Sequence, residues 1–280
     1  MQLGSMLIFG TIGVFRRYIP LSSAVLACTR GILGALFILI FIRVRGGSFR
    51  KDLTARTVIW YGVIGALMGI NWILLFEAYN YTTVGIATLC YYMQPPIVML
   101  LSPLVLKEKL TFKKVCCIIV ATLGMLLVSG AFDHQADAGQ IKGILLGFGA
   151  AVFYSAVILM NKKAPPLDAY QKTIIQLLAA GAIMLPYIAI GQEFGTIGSA
   201  ALTIPLLLIV GLVHTGLAYV LYFGSMDGLK VQTLALLSYA DPVFALILSA
   251  LLLHEALTVS GVIGAILILG AAVFAEWNND

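Results

Sequence analysis

Apolar residues in this chain run in ten long stretches separated by short polar breaks. We read the stretches as helices at about 1–16, 22–42, 57–79, 83–104, 111–130, 142–161, 170–191, 203–225, 231–251 and 257–276. Each is about 16 to 23 residues long, close to the roughly 20 that carry a helix across a hydrocarbon core. The loops between them are too short for a soluble domain, so function has to sit among the helices. The predicted fold is all-α and integral to the membrane, with ten transmembrane helices.

A repeat is superimposed on this pattern. Residues 92–111 (YMQPPIVMLLSPLVLKEKLT) and 239–258 (YADPVFALILSALLLHEALT) are one segment written twice, 147 residues apart. Nine of twenty aligned positions are identical, among them Tyr92/Tyr239, Pro95/Pro242, Ser102/Ser249, Glu108/Glu255 and Thr111/Thr258. The leucines could match by chance in so apolar a chain, but those five polar, aromatic and proline matches in one register point to a real internal repeat. The copies lie on the fourth and ninth predicted spans, an offset of five, and an odd offset turns the second copy upside down. The expected organisation is two inverted five-helix halves, residues 1–130 and 142–280, the arrangement of secondary transporters.

Composition agrees. The mean hydropathy is +1.04, and only 10% of residues are charged, against roughly 25% in an average soluble protein. With the N-terminus in the cytoplasm, thirteen of the seventeen Lys and Arg fall on inner loops, three (Arg16, Arg17, Lys142) on outer loops, and Arg30 within a span. That bias places both termini in the cytoplasm of a cell membrane. It also accounts for the net charge of +5 as a topology signal, with no need to invoke nucleic-acid binding. The first span lacks a positive n-region and a cleavage site and reads as a retained helix. Cys28, Cys90, Cys116 and Cys117 all lie within spans and read as small packing residues.

These residues resemble the EamA-type branch of the drug/metabolite transporter superfamily. The phrase that carries the resemblance is an aromatic, proline-bearing helix with a Leu-rich run and Glu-x-Leu-Thr. Here it stands as Tyr92 to Pro95 with Glu108 to Thr111, and again as Tyr239 to Pro242 with Glu255 to Thr258. The resemblance covers nearly the whole chain and implies the two-half fold. It does not imply a substrate, because the superfamily moves amino acids, nucleotide sugars, amines, drugs and other metabolites.

The repeat also indicates where to look for a site. Pro95 and Pro242 are expected as mid-span kinks that expose backbone near the midplane, though proline can also bend a helix merely for packing. Buried polar groups carry more weight, because a charge at a helix centre costs about 2.5–3.5 kcal/mol on insertion scales. Asp241 lies about ten residues into its span, or ~15 Å, and its repeat-mate is Gln94. Asp241 either binds substrate or a proton, or satisfies kinked backbone. His214 reaches a similar depth, could meet Asp241, and is otherwise a satisfied core histidine. Arg30 and Asn71 share a level above the kinks, and Arg30 aligns with Gln176 of the other half. Arg30 could hold a carboxylate or pair with Asp241 or Glu77. Glu77, nearer the outer mouth, is the second candidate for proton coupling. Trp72, Tyr91, Tyr92 and Tyr239 lie deeper than an interfacial belt and could line a pocket offering ring faces to a cation.

Two pairs of glycines, Gly65 with Gly69 and Gly143 with Gly147, are spaced for close helix contact. Glu108 and Glu255 are expected to cap the helices that start at the following Leu-Thr or to tether a loop. No phosphate loop, nucleophile motif or metal-spaced cluster occurs, so no cofactor is expected and transport would draw on an ion or substrate gradient. The leading reading is a secondary transporter of a small polar or amphipathic metabolite. An integral-membrane enzyme and a scaffold or receptor are the alternatives. Its partners would be the substrate and the lipid bilayer, the protein acting as a monomer or homodimer.

Overall fold

Short polar residues mark the heads of several helices. The computed structural model describes residues 1–16, 18–46, 49, 53–82, 87, 90–128, 138–191, 203–253 and 259–276. All regular structure among them is helical: α1 (Gln2–Arg16), α2 (Ser23–Val44), α3 (Ala55–Tyr81), α4 (Gln94–Leu106), α5 (Phe112–Val128), α6 (Ala138–Lys163) and α7 (Ala169–Ile190) in the first part. They are followed by α8 (Thr203–Ile209), a π-helical stretch (Val210–Leu217), α9 (Ala218–Ser225), α10 (Val231–Ser238), α11 (Ala240–Leu253) and α12 (Val259–Glu276). Ser22 receives the Val25 amide ahead of α2, Thr54 and Thr57 cap α3 reciprocally, and Asp168 receives the Tyr170 amide at 2.9 Å ahead of α7. Each cap satisfies a donor that has no partner within its helix.

Among the described residues, six helical runs are long and apolar enough to cross a membrane: Ala24–Val44, Ala55–Tyr81, Ile141–Lys163, Ala169–Ile190, Thr203–Ser225 and Val231–Leu252. The others are shorter, with α1, α4, α5 and α12 at 15, 13, 17 and 18 residues. Exposed residues such as Ile40, Ile59, Leu104, Leu145, Leu251 and Ile266 give the bundle an apolar exterior suited to lipid.

The two prolines differ from expectation. Pro95 does not kink a continuous span: the chain turns at Tyr92 and Met93, and α4 starts afresh with Pro95 and Pro96 in its first turn. Likewise α10 stops at Ser238, and α11 restarts at Ala240 with Asp241 and Pro242 in its first turn. A first-turn proline gives up an amide that the helix leaves unbonded anyway, so this is its comfortable place. The two helix breaks therefore fall at the repeat-mates Tyr92 and Tyr239.

Helix α3 lies against both α6 and α7, α2 against α7 and the π stretch, α5 against α12, and α1 against α11 and α9. The predicted glycine contacts are present. A Cβ at Gly69 would stand 2.9 Å from the Ala180 carbonyl, and one at Gly65 would be 2.7 Å from Gln176 Cα, so α3 meets α7 backbone to backbone. Gly143 and Gly147 similarly admit Thr82, Ala87 and Cys90 against α6. All four cysteines are free, with Cys28 and Cys117 buried.

Contacts sort the loops onto two ends. At one end Gln2 meets Ser225, the Tyr61 phenol donates to the Pro165 carbonyl, the Gln171 amide donates to that of Phe49, and Lys113 sits 5.2 Å over the Phe274 ring. At the other end Lys142 lies over Tyr81, and the Tyr187 phenol donates to Glu77. The first end carries the lysine-rich segments around 107–114 and 162–172 and the start of α1.

Candidate functional site

The two helix breaks meet. Tyr92 and Tyr239 stack with ring centroids 6.3 Å apart and planes 24° from parallel. The Tyr239 phenol donates to the Tyr92 carbonyl at 3.2 Å and lies 3.3 Å from the Thr122 hydroxyl. The Tyr92 phenol donates to Asp241 Oδ2 at 2.6 Å. Asp241 occupies the first turn of α11, where unpaired amides make the helix end electropositive. A carboxylate is thus supported deep in the bundle by a phenol from one repeat copy and a helix start from the other.

Aromatic rings extend this junction into a cluster. Tyr91 stands edge-on to Tyr92 at 5.8 Å and stacks on Tyr154 of α6 at 5.6 Å. Tyr219 of α9 lies 6.3 Å from Trp72 and 5.2 Å from Phe9. Tyr91, Tyr92, Tyr154, Arg30 and Asp241 each keep accessible surface, although they project among helices rather than toward lipid. Tyr154 and Tyr219 fall outside the site residues expected from sequence, though each lies near the middle of its span, the same signal that marks Tyr91 and Trp72.

Arg30 pairs with neither Asp241 nor Glu77. Its guanidinium lies 5.2 Å over the Trp72 ring, and its buried Nε has no hydrogen-bond partner. Arg30 thus already occupies one face of the Trp72 ring expected to meet a substrate cation. Arg30 and Asp241 thus make separate contacts, one with Trp72 and the other with Tyr92.

Several expected site residues are given to packing instead. Asn71 is fully buried and its amide donates to the Ala150 carbonyl at 2.7 Å, joining α3 to α6. Gln94 is 3% exposed; its backbone carbonyl receives the Ser155 hydroxyl at 3.3 Å, and its buried side-chain Nε2 has no hydrogen-bond partner. His214 does not meet Asp241: α1 lies between them, with Thr11 2.6 Å from His214 Nε2 and Gly10 against the Asp241 carbonyl. Phe15 closes the other side of the imidazole at 4.7 Å. Gln176, the positional mate of Arg30, exchanges amide bonds with Asn161 at 3.0 and 3.2 Å. Glu77 accepts from Tyr187 and from Asn80 at 3.4 Å, away from the Asp241 junction. Among the described residues, no three His, Cys, Asp or Glu side chains gather as a metal site.

Glu108 also departs from expectation. Thr111 itself receives the Lys114 amide at the head of α5, and Glu108 instead accepts the amide of Val231, the first residue of α10, at 3.1 Å. It therefore caps a helix of the other half. Its repeat-mate Glu255 lies outside the described residues.

The model of the EamA-like transporter family matches residues 1–130 and 141–276. The uncharacterized transporter YxxF of Bacillus subtilis is 30% identical over 248 residues, covering 87% of this chain and 78% of that protein. An uncharacterized transporter of Archaeoglobus fulgidus is 28% identical over 276 residues, 98% of this chain and 94% of its own length. The uncharacterized inner membrane transporter YicL of Salmonella typhimurium is 25% identical over 97% of this chain and 92% of that protein. A solved crystal structure with 20% identity superposes with a TM-score of 0.85 over 98% of this chain and 94% of that one, a likeness of fold alone.

Proposed function

Because this chain belongs to the EamA-like transporter family of the drug/metabolite transporter superfamily, we propose that it moves a small polar or amphipathic metabolite across the cytoplasmic membrane by alternating access. Ten helices cross the bilayer as two inverted five-helix halves, and the lysine-rich end faces the cytoplasm with both termini. The substrate is an amine, an amino acid or a similar compound, and the protein performs no chemistry on it. The observation that carries this reading is the Tyr92 to Asp241 bond. It joins the two repeat copies inside an aromatic cluster that also holds Arg30 over Trp72, and the substrate is taken to bind against this cluster. Asp241 is the group that takes up and releases a proton as the transport path changes the side to which it opens.

Counterflow in proteoliposomes, run with a pooled metabolite extract and then with single amines, amino acids and organic anions, tests the reading. An amine seated beside Asp241 has the Tyr91 and Tyr92 rings to lie against. Tyr91→Ala is therefore expected to weaken its binding by roughly 0.5–2 kcal/mol, the worth of a cation–π contact. Binding of organic anions alone, lost only in Arg30→Ala, would return the tyrosines to packing and reverse the substrate charge.

Sidedness is testable separately. Lys109 and Tyr18 are both exposed and belong to opposite ends of the bundle. In a background lacking the four native cysteines, Lys109→Cys is expected to label from the cytoplasm and Tyr18→Cys from outside. Labelling of both from one side would remove the orientation and the inverted halves with it.

A further inference from the structure

At the lysine-rich end, the turn between α9 and α10 is fastened from three directions. Lys172 of α7, its side chain 4% exposed, bonds both Asp227 oxygens at 3.0 and 2.9 Å, while the Asp227 side chain itself is 69% exposed. Lys162, in the last turn of α6, donates to the carbonyls of Met226, at 2.6 Å, and Leu229. Glu108, beyond the end of α4, accepts the Val231 amide, and Gln232 donates to Ser102 at 2.8 Å. Every one of these bonds ends on residues 226–232. Met226 and Asp227 also wall a cavity of about 670 Å³, with Tyr61, Asn161, Pro165 and Gln171 among its other walls.

We propose that residues 226–231 form a latch that holds the transport path shut at this end. The proposal rests on the alternating-access reading. The charges in the cluster balance, Lys162 and Lys172 against Glu108 and Asp227, and Glu108, Asp227 and Lys172 all act on Lys162. These four side chains carry no surplus charge among themselves and work as a fastening, while Lys230, the other charge on the turn, is exposed to solvent. Glu108 and Ser102 belong to the first half and the rest to the second, so the halves cannot part here without breaking the Glu108 to Val231 and Ser102 to Gln232 bonds. Asp227 is the member that water already reaches, and its departure strands the buried Lys172 ammonium without a counter-charge. A stranded buried charge is strongly unfavourable, and exposing it by opening the end is the available relief.

The test is a distance measurement between spin labels at Arg56→Cys and Gly228→Cys, in protein without its native cysteines, in nanodiscs and without substrate. Arg56 is exposed, and a Cβ at Gly228 meets nothing within 4 Å, so both positions accept the label. Asp227→Asn is expected to add a longer distance and raise the open-to-closed ratio by at least about tenfold. Lys172→Met combined with Asp227→Asn removes the stranded charge and is expected to return the ratio to within about threefold of native. Because the Asp227 side chain is mostly in water, the single variant is expected to fold, which its melting temperature in detergent verifies. An unchanged distance distribution in Asp227→Asn, or a double variant as open as the single, overturns the latch. Counterflow on the same samples separates the two readings: substrate exchange by the native protein with no latch effect leaves transport standing, and its absence removes transport regardless of the distances.

Discussion

Asp241→Asn is expected to reduce gradient-driven accumulation to the level of empty liposomes while substrate exchange persists. Asparagine has nearly the same shape, and its amide oxygen can still accept the Tyr92 phenol that now binds Asp241 Oδ2, so the junction between the two helix breaks survives. What is lost is the ability to carry a proton. Asp241→Ala is the harsher control, because it leaves the Tyr92 phenol without its acceptor, a loss of about 1–3 kcal/mol for a buried donor. Uptake is measured under an imposed proton gradient, and exchange at equal pH on both sides. If the pH dependence of uptake is the same in Asp241→Asn as in the native protein, proton coupling either moves to Glu77 or is absent.

Two glycines one turn apart on α3 are expected to respond in opposite directions. Gly65→Ala would place a methyl 2.7 Å from Gln176 Cα and 2.8 Å from the Ala179 Cβ, atoms of a neighbouring helix that no rotamer change can move aside. Overpacking of this kind costs roughly 1–3 kcal/mol, and Gly65→Leu more. A methyl at Gly62 would meet nothing within 4 Å, and Gly62→Ala should stabilise α3 by roughly 0.5–1 kcal/mol through helix propensity alone. Thermal unfolding in a single detergent reads both. Equal melting temperatures for Gly62→Ala and Gly65→Ala would show that α3 and α7 do not touch along this face.

The outline of the bundle and the pairing of Tyr92 with Tyr239 were legible in the sequence because both are local or repeated signals: apolar length, and one phrase occurring twice. The roles of the prolines were legible only in part. Pro95 and Pro242 do mark discontinuities, but a Pro, or an Asp and a Pro, just after an aromatic residue is also the pattern of a helix start, and that pattern, not a kink, is what forms. Partners far apart along the chain were not legible. Glu108 reads as a local cap because its sequence neighbours suit one, yet its hydrogen bond runs to an amide 123 positions away. Arg30 and Asn71 had the right depth for a pocket, but depth says nothing of the direction in which a side chain leaves its helix. Asn71 turns toward α6 and Arg30 toward Trp72.

One feature inside the run from Thr203 to Ser225 sets which faces these helices present. The π-helical stretch Val210–Leu217 uses wider turns than an α-helix, with Thr215 Oγ1 bonding the carbonyl of Val210 five positions back. A single wide turn takes up about one extra residue, which shifts the phase of everything beyond it by roughly 100°. In that shifted phase Tyr219 and Tyr222 both reach Phe9. Removing one residue from 210–217 would let the helix run regularly and swing the two tyrosines around its axis, while the residues before the stretch kept their seats against α2. The direction of these two rings is thus set by an insertion in the helix as much as by the tyrosines themselves.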